Sequence, residues 1–399
     1  MKRVLITGMG IITAIGDDLT ENHTSLRCSK AGIGEAFHFD SYYKDLLPFG
    51  EVKLSNADLL SAANLTRHSG YTRTCTLALK AFDEAIRDAG LSQEELSSWG
   101  TALISASTVG GMCITDQLYQ DANLKASASE FVDSYGCAAH TLRLVERYNI
   151  KGFTDTINTA CSSSANAILL GARLIRSGRA NRVIVGGVDA LAKYTVNGFN
   201  ALKILSSAPC RPFDENRDGL NLGEGAAYLV LESEDIAKGK KCYATVAGYG
   251  NSNDAHHPSA MSDNAVGAIL SMSQAIKSAG IHPSEVDYIN AHGTATANND
   301  AVETYGLTEV FDQVPPYSST KSFTGHTLGA AGAVEAVFSV LSIYYSEIYA
   351  SLRVETPVQP FSIAPVARYR SDSPVNFVLS NSFGFGGNCT SLVFGKIGS

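Results

Sequence analysis

The sequence predicts an α/β protein built from two similar halves, in which strands and helices alternate around mixed β-sheets. Its 399 residues are 45% hydrophobic and 18% charged, which is the composition of a chain with a large packed core. Two helix-like segments resemble each other along the chain, and one continuous apolar run predicts a strand buried on both faces. Alternating strands and helices of this kind are typical of layered α/β architectures.

The repeat joins two segments that each read as a helix, a glycine, an acidic turn and a strand. Residues 81–92 resemble residues 271–282, with a glycine at the matching place. Glycine after the last helical turn is a common C-terminal cap, and the match is too long to come from helical periodicity alone. We therefore expect two related halves, at residues 1–240 and 241–399.

Strand-like segments also match between the two halves. Residues 4–10 and 244–250 each read as a strand followed by Gly-x-Gly. A dinucleotide-binding fingerprint would need a third glycine where Thr13 stands, so the sequence argues against an NAD site. Further strands are expected at 101–105, 182–187, 286–291 and 375–380.

Charge and cysteine usage exclude several classes of function. The net charge of −8 argues against a nucleic-acid-binding protein, which needs a basic face. The eight cysteines are scattered, with no CxxC pair and no zinc-like spacing, as expected of reduced thiols in a cytosol without a metal site. We find neither a signal peptide nor a long uninterrupted apolar run, so we expect a soluble cytoplasmic protein without a membrane segment.

Cys161 is the first candidate for chemistry. It lies in a run of small residues just before the helix-forming stretch 168–175. The free N–H groups and the dipole of a helix N-terminus favour a thiolate, so we expect the pKa of this thiol to be depressed. The alternative is a buried core cysteine, since free cysteines are often buried.

Three segments of the second half carry further candidates. His292 ends an apolar strand and precedes glycine and threonine, and His326 precedes a helix of small residues. A glycine-flanked aromatic turn at 381–388 could direct backbone N–H groups inward. Cysteine with histidine is the signature of thiol catalysis, but it leaves protease, transferase and thiolase chemistry open. We expect the site between the halves.

Five ordered motifs resemble those of the β-ketoacyl-(acyl carrier protein) synthases of the KAS I/II group. They are Thr159–Ala165, Arg211–Gly225, Ala291–Thr294 with Asp300 and Glu303, Lys321–Gly332 and Asn381–Gly387. The resemblance spans almost the whole chain. It implies the thiolase fold, with duplicated α/β halves in α-β-α-β-α layers, and a Claisen condensation without cofactor or metal.

The resemblance also implies a role for each reacting group. Cys161 would carry an acyl group as a thioester, and its own N–H and that of Phe385 would form the oxyanion hole. His292 and His326, as neutral imidazoles donating from Nε2, would stabilise the enolate left by decarboxylation of a malonyl group.

Other residues would support these groups. The resemblance places Lys321 in the active-site network, paired with Glu303, although a purely structural ion pair explains it equally well. Asp300 and Glu303 carry the same two alternatives. Phe385, with Phe383, would gate the acyl pocket, and the alternative for Phe383 is core packing.

The chain departs from the family pattern in three places. The usual Gly-Gly-Thr-Asn is Gly-Gly-Asn-Cys at 386–389, the usual Pro-x-Gly-Asp is Ala-Asn-Asn-Asp at 297–300, and the loop 202–210 is short. That loop is expected near the pocket entrance. It resembles condensing enzymes of polyene or pigment pathways, beside ordinary fatty acid synthesis.

Two alternatives remain within the fold, and the partners follow from the resemblance. A non-catalytic chain-length factor would lack the nucleophile, and a thiolase would need a second catalytic cysteine, for which Cys389 is the candidate. The expected partners are acyl-loaded and malonyl-loaded carrier protein, a second copy in a homodimer or a chain-length factor in a heterodimer. An acidic carrier protein would need a local cluster of Lys and Arg at the pocket mouth.

Overall fold

The computed structural model describes residues 2–65, 70–359 and 363–398, which form ten strands and thirteen α-helices. The strands are β1 Val4–Thr13, β2 Thr101–Ala106, β3 Thr154–Ile157, β4 Arg182–Asp189, β5 Gly225–Ser233, β6 Ala244–Asn253, β7 Tyr288–Asn290, β8 Tyr317–Ser318, β9 Phe377–Phe383 and β10 Asn388–Gly395. The helices are α1 Leu19–Arg27, α2 Asn56–Ala62, α3 Arg73–Asp88, α4 Gln93–Leu96, α5 Thr115–Leu124, α6 Ala139–Tyr148, α7 Ser163–Arg176, α8 Lys193–Ala201, α9 Glu234–Ala237, α10 Val266–Ala279, α11 Ala297–Val310, α12 Lys321–Thr324 and α13 Ala331–Tyr345.

The strands divide into two groups with the same internal arrangement. Their order is β3-β2-β4-β5-β1-β6-β10-β9-β7-β8, so the first five strands precede the last five. In each group the outer pairs are parallel and the inner pairs antiparallel. The groups meet at β1 and β6 through two residue pairs, Leu5 with Thr245 and Ile6 with Ala244. The expected boundary at 240 falls between β5 and β6.

Helices fill the space between the two groups and cover both outer faces. The central hydrophobic core contains apolar residues of α7 and α13, such as Ile168 and Val337, together with strand residues of both groups. A second core lies under α3 and a third under α10. The expected α-β-α-β-α order is confirmed, because each layer buries an apolar face against its neighbours.

The Gly-x-Gly sequences lie inside β1 and β6 rather than after them, which corrects the expectation. A Cβ added at Gly10 would stand 2.1 Å from the Ala81 carbonyl oxygen of α3. A Cβ at Gly250 would stand 2.1 Å from the Ser271 carbonyl oxygen of α10. These glycines allow a helix backbone to cross directly over the strand, and they do so in the same way in both halves.

Two further expectations concern the elements themselves. The helices α3 and α10 both end at glycines with positive φ, Gly90 at 62° and Gly280 at 74°, as expected. The strand expected at 375–380 extends to Phe383 as β9, so the aromatic turn after it is shorter than expected.

One segment has the length and composition of a membrane span. Leu328–Tyr345 passes on both criteria, and 89% of it is buried inside the fold among the described residues. It contains α13, which lies in the central core. Burial in the central core accounts for its apolar character, since the helix packs against strands of both groups.

Candidate active site

Cys161 lies in a tight turn that leads into α7. The preceding Ala160 has a φ of 54°, and α7 begins at Ser163. The Ser163 hydroxyl donates to the Ala160 carbonyl at 2.5 Å and accepts from the Thr159 N–H at 2.9 Å. A left-handed alanine is strained, and these hydrogen bonds hold it in place, so the thiol is fixed just before the helix as expected.

The expected depressed pKa of this thiol is wrong. Burial raises the pKa of Cys161 to about 11, although the Lys321 charge and the N–H groups of Phe385 and Cys161 lower it. The side chain is only 6% exposed. Desolvation of the thiolate therefore outweighs the helix terminus, because a buried anion loses its hydration.

The two histidines are neutral and both present Nε2–H. Burial, aided by the Lys321 charge, holds the pKa of His292 and of His326 well below its usual range. The Nδ1 atom of His292 accepts from Lys321 Nζ at 3.2 Å, and Nδ1 of His326 accepts from the Leu328 N–H at 3.2 Å. The proton of each ring must then be on Nε2, and the rings stand 5.5 Å apart.

Lys321 pairs with Glu335, not with Glu303 as expected. Its ammonium donates to the Glu335 carboxylate, to the His292 carbonyl at 2.6 Å and to His292 Nδ1. These three acceptors match the three N–H bonds of an ammonium. Burial raises the pKa of Glu335 against the opposing effect of the Lys321 charge. Lys321 therefore fixes the orientation and tautomer of one imidazole.

Glu303 and Asp300 hold backbone rather than reacting groups. Glu303 accepts from the N–H groups of His292 and Gly293, each at 2.8 Å, and burial raises its pKa to about 7. Asp300 accepts from the Phe213 N–H at 2.7 Å and the Ala295 N–H at 3.1 Å. Both carboxyls shape the loop that carries His292, which explains why they lie in α11 directly after it.

The aromatic turn lies against the nucleophile. Gly386 and Gly387 both have positive φ, near 83° and 81°, which glycine adopts without strain. Phe385 is 37% exposed and stacks on Phe199 of α8, with ring centroids 5.6 Å apart. Phe383 instead lies buried in β9, 5.8 Å from the His292 ring. Its position favours packing, and a gating role for it stays a prediction.

These groups meet at one cavity of about 260 Å³, as expected between the two halves. Cys161 comes from the first half, and His292, His326 and the aromatic turn come from the second. Ile204 also lines it, which places the short loop 202–210 at the pocket. Cys161 is the one cysteine among the described lining residues, since Cys389 is fully buried in β10.

Sequence reasoning missed Glu335 and Phe199. Glu335 is the only charged residue of the apolar helix α13, and that isolation was the available signal. Burying a carboxylate without a partner costs free energy, so an isolated carboxylate in an apolar helix predicts a nearby cation. Phe199 gave no comparable signal, because its partner lies far along the chain. Asp189 was missed as well; it accepts from the Gly329 N–H at 2.7 Å and ties the His326 loop to the first half.

Both halves of the chain match domains of a known protein family. Residues 1–237 match the N-terminal domain of the beta-ketoacyl synthases, and residues 243–355 match their C-terminal domain. The chain belongs to the β-ketoacyl synthase family. It is 33% identical to 3-oxoacyl-[acyl-carrier-protein] synthase 2 of Staphylococcus aureus strain COL, covering 99% of this chain and 98% of that protein. The mitochondrial 3-oxoacyl-[acyl-carrier-protein] synthase of Arabidopsis thaliana is also 33% identical, over 99% and 94%.

Solved structures of the family share the fold over its full length. The ishigamide ketosynthase/chain length factor superposes with a TM-score of 0.93 and 29% identity, covering 100% of both chains. The ketosynthase ApeO in complex with its chain length factor ApeC, from Xenorhabdus doucetiae, gives 0.86 and 30%, covering 99% and 98%. The thiolase fold and the resemblance to the KAS I/II group are thereby confirmed, and the chain is a condensing acyltransferase of this family.

Proposed function

We propose that the protein is a β-ketoacyl-(acyl carrier protein) synthase that condenses an acyl group on Cys161 with malonyl carrier protein. The observation that carries this is the arrangement at the cavity: one thiol faces two neutral imidazoles that both present Nε2–H. A general base would need an unprotonated nitrogen there. Two donors instead suit a carbonyl oxygen that becomes an enolate oxygen.

In the first stage Cys161 takes the acyl group from its carrier. The thiol sulfur attacks the thioester carbonyl, a new carbon–sulfur bond forms, and the carrier thiolate leaves with the thiol proton. The N–H groups of Cys161 and Phe385 already act on the sulfur, because both lower its pKa. We propose that these two N–H groups also stabilise the tetrahedral oxyanion.

In the second stage the malonyl carboxylate leaves as carbon dioxide and its bonding electrons form the enolate. His292 and His326 donate to the enolate oxygen. The enolate carbon attacks the acyl carbonyl, the bond to Cys161 sulfur breaks, and the released thiolate takes up one proton. Lys321, Glu335, Glu303 and Asp300 act as positioning residues, since their bonds hold the imidazoles and their loop.

Phe385 is the proposed gate of the acyl pocket, with Phe383 as a wall. Phe385 is partly exposed on a glycine turn and can rotate only when its stacking on Phe199 is released. The short loop 202–210 lies beside it through Ile204, which supports an influence on chain length. The pathway stays a prediction, with polyene or pigment synthesis beside fatty acid synthesis.

The proposed partners follow from the same surface. Carrier protein would dock at the mouth, where the exposed Lys203 adjoins Ile204.

We propose a homodimer through β3, which ends the sheet and is flanked by exposed Phe153 and Leu142. A heterodimer with a chain length factor, the arrangement named for ApeO, is the second possibility. We place the enzyme in the cytoplasm and propose 1–240 and 241–399 as its two units.

One experiment tests the function directly. The purified protein is incubated with a series of acyl carrier thioesters, and intact mass shows which chains load. We expect loading on the native protein and none on Cys161→Ala. Cys389→Ala is the matched control and should load normally, whereas a thiolase would depend on both cysteines. Absence of any loading on a folded native protein would refute the function.

A further inference from the structure

A network of side chains connects the nucleophile turn to the strand that follows the aromatic turn. At its centre is Asn388, the first residue of β10, where the family pattern has threonine. None of its members takes part in the proposed reaction. The network crosses from the first half of the chain to the second, directly beside the oxyanion hole.

Four side-chain donors converge on the Oδ1 atom of Asn388. The donors are the Ser162 hydroxyl at 2.7 Å, Asn166 Nδ2 at 2.9 Å, Asn251 Nδ2 at 3.1 Å and the Thr390 hydroxyl at 3.3 Å. Ser162 is fully buried, so losing this acceptor would leave its hydroxyl with fewer partners away from water. A single oxygen thus holds together α7, β6 and β10.

The network lies beside the two proposed oxyanion donors. One donor is the N–H of Cys161, adjacent in sequence to Ser162, and the other is the N–H of Phe385, which precedes Asn388 by one short turn. The turns are in direct contact, since a Cβ added at Gly384 would stand 3.2 Å from the Cys161 nitrogen. The bond from Ser162 to Asn388 is the side-chain link that spans this contact.

We propose that Asn388 is a positioning residue for the oxyanion hole, which it keeps at its working width by joining Ser162 and Asn166 to the strand after Phe385. This rests on the proposed function of Cys161. Threonine, the residue of the family pattern, has a shorter side chain, so in this chain the longer amide supplies the cross-link. Three asparagines meet here, at 166, 251 and 388, and hydrogen bonds join each of them to the other two.

Two substitutions separate the hydrogen-bond acceptor from the shape of the side chain. Asn388→Asp keeps an acceptor oxygen at this position and adds a negative charge. Asn388→Leu has a similar size and removes the acceptor. Asn376→Leu is the matched control. Asn376 is exposed and directly precedes β9, the strand that pairs with β10.

Two reactions of the same thiol separate the oxyanion hole from the nucleophile itself. Acyl loading passes through a tetrahedral oxyanion, whereas alkylation by iodoacetamide displaces iodide without one. We expect Asn388→Leu to slow acyl loading by about 10- to 100-fold while alkylation keeps the native rate, because small displacements of catalytic groups have effects of this size. Asn388→Asp should load faster than Asn388→Leu, because it keeps the acceptor, and Asn376→Leu should behave as the native protein.

The outcomes are distinct. Equal loading by Asn388→Leu and the native protein would overturn the inference, and so would a parallel fall in loading and alkylation, which indicates a general structural role. If Asn388→Leu does not fold, Asn388→Thr and Asn388→Asp are compared in its place, and the inference requires the aspartate to load faster. Native protein that alkylates but never loads would refute the proposed function instead.

Discussion

The two halves of the chain place different chemistry at the same point of the same fold. The helices α7 and α13 occupy equivalent positions after β3 and β8, and both lie in the central core. Each follows a left-handed residue three positions before its start, Ala160 with φ 54° and Leu328 with φ 52°. Cys161, the proposed nucleophile, directly follows the first of these residues, and His326, a proposed donor, lies two residues before the second.

The difference shows how two halves with the same backbone arrangement can supply different chemical groups to one site. Both turns direct side chains and N–H groups into one shared cavity. In the proposed reaction the first half supplies the thiol that carries the acyl group, and the second supplies the neutral imidazoles that donate to the enolate. Substitutions of these side chains should therefore affect the two proposed stages separately, although the Phe385 N–H of the second half also serves the first stage.

The largest expected effect comes from the second-half donors. His292→Ala and His326→Ala should each lower condensation with malonyl carrier protein by about 10²–10³-fold, the usual effect of removing one such donor. Acyl loading on Cys161 should remain. Carbon dioxide release measures the first quantity and intact mass the second. If loading falls together with condensation, the stages are not divided between the halves.

The ion pair behind His292 should have the next largest effect. Lys321→Met leaves the buried Glu335 without its partner and should lower the free energy of unfolding by about 3–5 kcal/mol. Urea unfolding measures it. Lys321→Met combined with Glu335→Leu should regain most of that stability but not the activity, because His292 stays without its Nδ1 donor. A double variant as unstable as the single one would contradict this account.

The packing of α3 on β1 and of α10 on β6 tests whether the two halves are structurally equivalent. Gly10→Ala and Gly250→Ala each push a methyl group against a helix carbonyl oxygen, at the same distance of 2.1 Å. Each should destabilise the protein by about 1–3 kcal/mol, which is typical of overpacking. Thermal unfolding of both variants checks the match. A large loss for one glycine and none for the other would break the equivalence of the halves.

The last expected effect, about tenfold per pH unit, concerns the pH dependence of the thiol. With the pKa of Cys161 raised to about 11, the thiolate fraction grows about tenfold per pH unit throughout neutral and mildly alkaline pH. Alkylation by iodoacetamide should therefore keep rising from pH 6 to about 9. Mass spectrometry of Cys161 follows it. A plateau near neutral pH would mean that the helix terminus outweighs burial after all.

Local sequence signals predicted much of the fold and the reacting groups. The repeat of 81–92 in 271–282 is a local pattern, and so is a histidine in a glycine-rich turn. The partner of Lys321 could not be read in this way, because Glu303 and Glu335 are both acidic and only packing brings one to the ammonium. The direction of the thiol pKa also depends on burial, a property of the whole fold.

Other features were visible in the sequence, but their structural role was not. The asparagine at 388 was visible in the sequence, yet its four donors come from three separate elements. The Gly-x-Gly sequences were visible too, but their use in helix crossing depends on which helix lies above. The sequence shows that these residues are unusual, and only the tertiary contacts show which groups they bind or pack against.

The position of β1 at the centre of the sheet has a consequence for how the chain is made. Its first partner is β5, where Val4 meets Ser233, and its other partner β6 comes later still. A ribosome adding roughly 5–20 residues per second exposes β1 for about 10–50 s before β5 emerges. During that interval an apolar strand has both edges open, and pairing with a neighbouring nascent chain competes with folding. Correct assembly of this enzyme thus begins with protecting the strand that is translated first.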